Sequence, residues 1–177
     1  MALKPQDVLL VLKWALHPKS RWTLTALSAA LDLPLAATHA SVKRALQSKL
    51  LVRAGDGATS LLPVRESLVE FLLHGLKYVF PVERGSATRG VPTAHAAPVL
   101  KKYFPAGQSL PPVWPDPAGK VRGEAFKPLY KSVVRSTALD PALYSALALI
   151  DAIRGGNARE RELATKLLRA QIAKAGV

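Results

Sequence analysis

Residues 24–53, LTALSAALDLPLAATHASVKRALQSKLLVR, read as a helix, a sharp turn, a second helix and the start of a hairpin. Leu24, Leu27, Ala30 and Leu31 recur at helical spacing. Asp32-Leu33-Pro34 interrupts that pattern, because proline disfavours helix at the residue before it and can itself open a new helix. The run that follows puts Thr38, Val42, Ala45 and Leu46 on one face and His39, Lys43, Arg44 and Gln47 on the other. A short helix, a tight turn and a second helix with a polar, basic outer face is how a chain lays side chains into the major groove of duplex DNA.

The residues after the second helix fit the same reading. Leu51-Val52-Arg53 and Ser60-Leu61-Leu62 are short apolar runs on either side of Ala54-Gly55-Asp56-Gly57-Ala58-Thr59. Gly and Asp supply the positive φ angles of a hairpin turn. No helix follows Gly55-x-Gly57 directly, so these glycines read as a turn and not as a phosphate loop. Arg21-Trp22-Thr23 is expected to add a third short strand.

Residues 1–80 resemble the winged helix-turn-helix of prokaryotic transcription regulators, including the MarR-like group. The family's short helix of apolar and small residues stands here as Leu27-Ser28-Ala29-Ala30-Leu31, its recognition helix as Thr38 to Leu46, and its strand start as Leu50-Leu51-Val52. The chain departs from the family pattern at Asp32, where a turn glycine is usual, and at Leu50, where glycine usually ends the recognition helix. The candidate DNA contacts are His39, Lys43, Arg44 and Gln47, with Lys49 and Arg53 beyond them. Lys43 lies best for the groove, Arg44 turns toward phosphate, and His39 and Gln47 are placed to read base edges.

Composition bounds the partners. The 177 residues carry 25 Lys+Arg against 12 Asp+Glu, a formal net charge of +13. An excess of this size suggests a polyanionic partner. It is spread along the chain: 10 basic and 5 acidic residues fall in 1–80, 7 and 3 in 81–128, and 8 and 4 in 129–177. There is no cysteine, which removes disulfides, thiol catalysis and cysteine zinc sites. His17, His39, His74 and His95 lack ligand spacing, and neither metal nor cofactor is expected. The apolar stretch Val8 to Leu12 is broken by Lys13, too short for a membrane span, and has no cleavage site behind it. It reads as an amphipathic first helix with Val8, Leu9, Leu12, Ala15 and Leu16 inward, in a soluble cytoplasmic chain with no membrane partner.

After Pro63 a further helix is expected, with Leu68, Phe71, Leu72, Gly75, Leu76 and Val79 as its apolar stripe and Phe80-Pro81 as its end. Residues 81–128 then hold nine of the chain's 14 prolines. Regular structure is not expected over most of this span; its apolar anchors suit an extended segment wrapped on the folded surface, with a short helix at Ala97 to Tyr103. Within it, Arg84-Gly85 and Arg89-Gly90 suggest a glycine-flanked loop that either grips DNA phosphate or crosses the structure with its arginines paired internally. The block Glu83 to His95 is similar to bacterial winged-helix proteins encoded beside antitoxin- or nucleotidyltransferase-like partners. The last third reads as a helical hairpin. Asp140-Pro141 opens it, Gly155-Gly156 breaks it, and Asn157 with Glu160 forms a capping box that restarts it. Arg154, Arg159, Arg161 and Arg169 gather around its turn.

The resulting expectation is a mainly α protein: a winged helix-turn-helix DNA-binding domain over 1–80, a Pro/Gly-rich wrapping segment over 81–128 and a C-terminal helical hairpin over 129–177. No catalytic motif is visible, and the 12 carboxylates are dispersed, so an enzyme is not expected. The function that fits is a sequence-specific double-stranded DNA-binding transcription regulator, a repressor, acting as a homodimer whose contact uses helix one or the helices of 141–175. The alternatives are an antitoxin-type adaptor that holds a protein partner through its C-terminal helices, and a non-specific nucleic-acid binder.

Overall fold

Helix α1 (Pro5–Leu16) is buried along its whole length from Asp7 onward, Lys13 included. One inward face was expected. Packing of α1 against the third, eighth and ninth helices covers it all round, as befits a helix in a core. This is a computed structural model, and it describes residues 2–54, 60–105, 107 and 109–176.

Helix α2 (Leu24–Leu31) is capped by Thr23, whose side chain accepts the Ala26 amide at 3.1 Å. It ends on Asp32 with φ 51° and ψ 50°. Aspartate is one of the few residues that tolerates this left-handed conformation, which explains a turn without glycine. Helix α3 (Leu35–Gln47) starts directly after Pro34. The second missing glycine has a similar answer: the chain turns left-handed at Lys49, φ 61°, one residue before Leu50, which enters the core. Strands β1 (Leu51–Ala54) and β2 (Ser60–Pro63) then pair antiparallel, Leu51 opposite Pro63 and Ala54 opposite Ser60. The expected glycine turn at 55–59 lies outside the described residues. Arg21-Trp22-Thr23 is not a strand. Its Trp22 indole donates to the His17 carbonyl at 3.1 Å and meets the His17 ring edge-on, so the segment ties the end of α1 to the start of α2.

Helix α4 (Arg65–Glu70) runs through a π-helical turn at Phe71–Gly75 into α5 (Leu76–Val79). The wider turn shifts the phase of the apolar stripe. Leu68, Leu72, Leu73 and Leu76 are buried, while Val79, expected inward, is 51 % exposed.

The Pro/Gly-rich segment corrects the sequence reading. It folds as a three-stranded sheet of β3 (Arg84–Pro92), β4 (Pro112–Pro115) and β5 (Val121–Phe126), in which each strand pairs with both others. Strand β3 is antiparallel to its neighbours, with Val91 opposite Trp114 and Thr88 opposite Gly123, and β4 runs parallel to β5. Prolines occupy strand ends, where a missing amide donor is tolerated. Glycines permit the closure: a Cβ at Gly90 would overlap the Trp114 carbonyl, and one at Gly123 the Pro111 carbonyl. Between β3 and β4 lie a 3-10 turn (Ala94–Ala96) and α6 (Pro98–Lys101).

Helices α7 (Val133–Thr137), α8 (Pro141–Gly155) and α9 (Ala158–Ala175) complete a mainly helical protein with small sheets. Asp140 caps α8 by accepting the Leu143 amide at 3.0 Å. Asn157 and Glu160 form the reciprocal box that starts α9, with bonds of 2.9 and 3.1 Å. The apolar stripe of α8 is internal, as are Ala164, Leu168 and Ile172 of α9.

Two buried carboxylates fasten α8 to the rest. Asp151 accepts from Thr93 Oγ1 at 2.8 Å, Trp114 Nε1 at 2.6 Å and Arg154 Nη1 at 2.8 Å. Arg154 also donates to the Phe80 carbonyl at 2.9 Å, so this arginine of the hairpin turn faces inward. Asp140 takes the Lys13 ammonium at 2.5 Å and His17 Nε2 at 2.9 Å. Burial alone would raise the Asp140 carboxyl, but Lys13, the Leu143 amide and His17 outweigh it and hold it below its ordinary 3.8. A lowered folded-state pKa stabilises the fold above the unfolded-state value, and that contribution is lost as pH falls through the folded value. Stability should therefore drop on acidification below 3.8, and Asp140→Asn should both lower the melting temperature at pH 7 and flatten this acid limb. Thermal unfolding of the two proteins across pH checks it; an unchanged acid limb in the variant would contradict the assignment.

Candidate nucleic-acid interface

Helix α3 presents its two faces sharply. Thr38, Ser41, Val42, Arg44 and Ala45 are buried, and His39, Lys43 and Gln47 are exposed. Steps of four along a helix return to one side, so these three side chains form a single row. The helix faces inward largely against α1, with further contacts to α2 and β1. Lys43 has no ion-pair partner among the described residues. Lys49 is exposed just past the helix end, and Arg53 is exposed on β1.

Arg44 is a correction. It was expected on the outer face and lies inside, where its Nε and Nη2 donate to the two carboxylate oxygens of Asp7, each at 2.7 Å. Asp7 is fully buried on α1. Its hydrogen bonds to the guanidinium raise the Arg44 pKa above the ordinary value. Arg44 neighbours Ala45 and sits one turn from Ser41, so helical geometry places it at the margin of the buried face, and a buried carboxylate draws it in. The signal in the sequence was Asp7 itself, a lone acid ahead of the apolar run Val8 to Leu12.

The glycine-flanked arginines do not form a loop. Arg84 begins β3, and its guanidinium donates to Glu124 Oε2 at 2.5 Å and to the Gly155 carbonyl at 2.9 Å, over the Phe126 ring. It joins the sheet to the end of α8, which is the internally paired alternative of the sequence reading. Arg89 stays exposed on the same strand, directly opposite Arg122 of β5.

Tyr144, whose pKa burial pushes up, donates its hydroxyl to the Pro92 carbonyl at 2.7 Å and packs edge-on to Trp114. Among the described residues no group of three or more histidine, aspartate or glutamate side chains is placed to hold a metal ion, and no helix is long and apolar enough to cross a membrane. No protein-family model, curated protein or solved structure matches the chain.

The placement of Lys43 and Arg44, adjacent in sequence, separates their effects. Arg44→Ala leaves Asp7 buried and unpaired and should cost about 3 kcal/mol or more of stability. Lys43→Ala, at an exposed site, should change stability by less than about 0.5 kcal/mol. Urea unfolding of both variants measures this; equal midpoints would refute the inward placement.

Proposed function

We propose that this chain is a double-stranded DNA-binding transcription regulator, with a winged helix-turn-helix in its first 80 residues, and that it represses by occupying its site. The observation that carries this reading is the exposed row of His39, Lys43 and Gln47 on a helix whose opposite face is buried. At 13 residues, α3 is roughly 20 Å long, enough to lie along the major groove with this row on the bases. His39 and Gln47 supply donors and acceptors for base edges, and Lys43 suits a guanine edge or a phosphate. Lys49 and Arg53 follow the helix as phosphate contacts, with the β1–β2 hairpin as the wing. A net charge of +13 draws the chain to DNA and makes its affinity fall with salt.

One recognition helix covers few base pairs, and a second copy related by a two-fold axis supplies the other half-site. The apolar stripes of α1 and α8 are taken up inside the chain, so those two stripes are not the two-fold contact. Tyr78 and Val79, 75 % and 51 % exposed at the end of α5, are the apolar surface we assign to it.

Lys43→Ala combined with Gln47→Ala should weaken binding to duplexes selected by the wild-type chain by about tenfold or more, from lost contacts of roughly 1–3 kcal/mol each, and leave the melting temperature unchanged. Fluorescence anisotropy with labelled duplex, run beside thermal unfolding, tests this. Unchanged affinity in a folded double variant rejects α3 as the reading helix.

A further inference from the structure

Three cations gather beside the β3–β5 pair and line one cleft. Arg89 and Arg122 are opposed across the antiparallel ladder, so their side chains leave the sheet on one face as neighbours. Lys120 lies in the bend that leads into β5 and lines the same cleft as both arginines. The turn into β5 folds back onto them. The Asp116 amide donates to the Arg89 carbonyl at 3.0 Å, the Gly119 amide to the Asp116 carbonyl at 2.9 Å, and a Cβ at Gly119 would overlap the Gly90 backbone. The result is a cleft of about 730 Å³ lined by Thr88, Arg89, Pro117, Lys120 and Arg122 among others.

Like charges placed directly opposite in a sheet destabilise it. Neighbouring cations at the ends of these strands meet carboxylates: Arg84 meets Glu124, and Lys127 meets Glu83. Arg89, Lys120 and Arg122 have no such partner among the described residues. The acid of the turn, Asp116, accepts the Ala118 amide at 3.1 Å. Glu124, the next acid along β5, is taken by Arg84. Two planar guanidinium forks and an ammonium around one cleft match the several oxygens of a phosphate, and such a ligand would convert their repulsion into charge-assisted hydrogen bonds.

We propose that Arg89, Lys120 and Arg122 form a phosphate-binding site on the outer face of the β3–β5 sheet. The site is built from elements other than α3 and does not depend on α3 reading DNA. The phosphate belongs either to the backbone of a bound duplex or to a free phosphorylated small molecule; the recognising chemistry is the same.

The test uses the full chain and two probes. In calorimetry, inorganic pyrophosphate should bind saturably, and Arg89→Ala and Arg122→Ala should each weaken it about tenfold, the effect of losing a hydrogen bond to a charged group. Lys166→Ala, at an exposed lysine of α9, is the control and should change nothing. Without ligand, Arg122→Gln should keep or raise the melting temperature, since it relieves the repulsion with Arg89. The second probe is random-sequence duplex across a salt series. If the source is nucleic acid, each arginine removed flattens the logarithmic salt slope by about one. Pyrophosphate binding with an unaltered slope assigns the site to a free phosphorylated ligand. The proposal is overturned if pyrophosphate does not bind saturably and the slopes are unaltered, if the control variant loses as much as the site variants, or if Arg122→Gln lowers the melting temperature by several degrees, which would make the cluster structural.

Discussion

The orientation of α3 rests on one ion pair. Asp7 is a fully buried carboxylate on α1, a helix whose other buried charge, Lys13, is paired with Asp140. A buried charge without a partner is costly, and this one is met by a two-pronged guanidinium from Arg44 and by the Lys4 amide at 2.8 Å. The fork geometry leaves little freedom in how α3 turns about its own axis. With Arg44 held inward beside Ser41 and Ala45, helical periodicity turns His39, Lys43 and Gln47 outward. An interaction inside the core thus decides which side chains the surface offers.

The same logic recurs at the other buried acids. Asp140 joins the end of α1, through Lys13 and His17, to the start of α8. Asp151, near the other end of α8, gathers Thr93 and Trp114 from the sheet unit, and its partner Arg154 closes on the carbonyl that ends α5. Burial holds the Asp151 carboxyl above its ordinary value, and Arg154, Thr93 and Trp114 offset only part of that rise. In each place a carboxylate fixes the mutual position of elements that apolar contact alone would leave free to slide, because its partners must keep both distance and direction.

The local elements of the chain were legible because their signals are local. Proline after Asp32, the Asp140 cap and the Asn157–Glu160 box mark helix ends within four residues of where they act. The sheet of residues 84–126 was not legible. Its prolines read as breakers, but they sit at strand ends, and the closure depends on Gly90 and Gly123 approaching carbonyls far along the chain. Polarity alone assigned Arg44 to the surface, because its partner Asp7 lies 37 residues away; the two readings of Arg84 stayed open because Glu124 lies 40 residues away. The shift that exposes Val79 comes from a π-helical turn, which a regular helical period does not anticipate.

The claim that α3 reads sequence is tested most directly by selecting duplexes from a randomised pool with the purified chain and sequencing what is retained. The account predicts enrichment of a defined two-fold symmetric motif, and loss of preference at specific positions of each half-site when Gln47→Ala is used in its place. Retention of duplexes without sequence enrichment, or an identical motif from Gln47→Ala and His39→Ala, would contradict it.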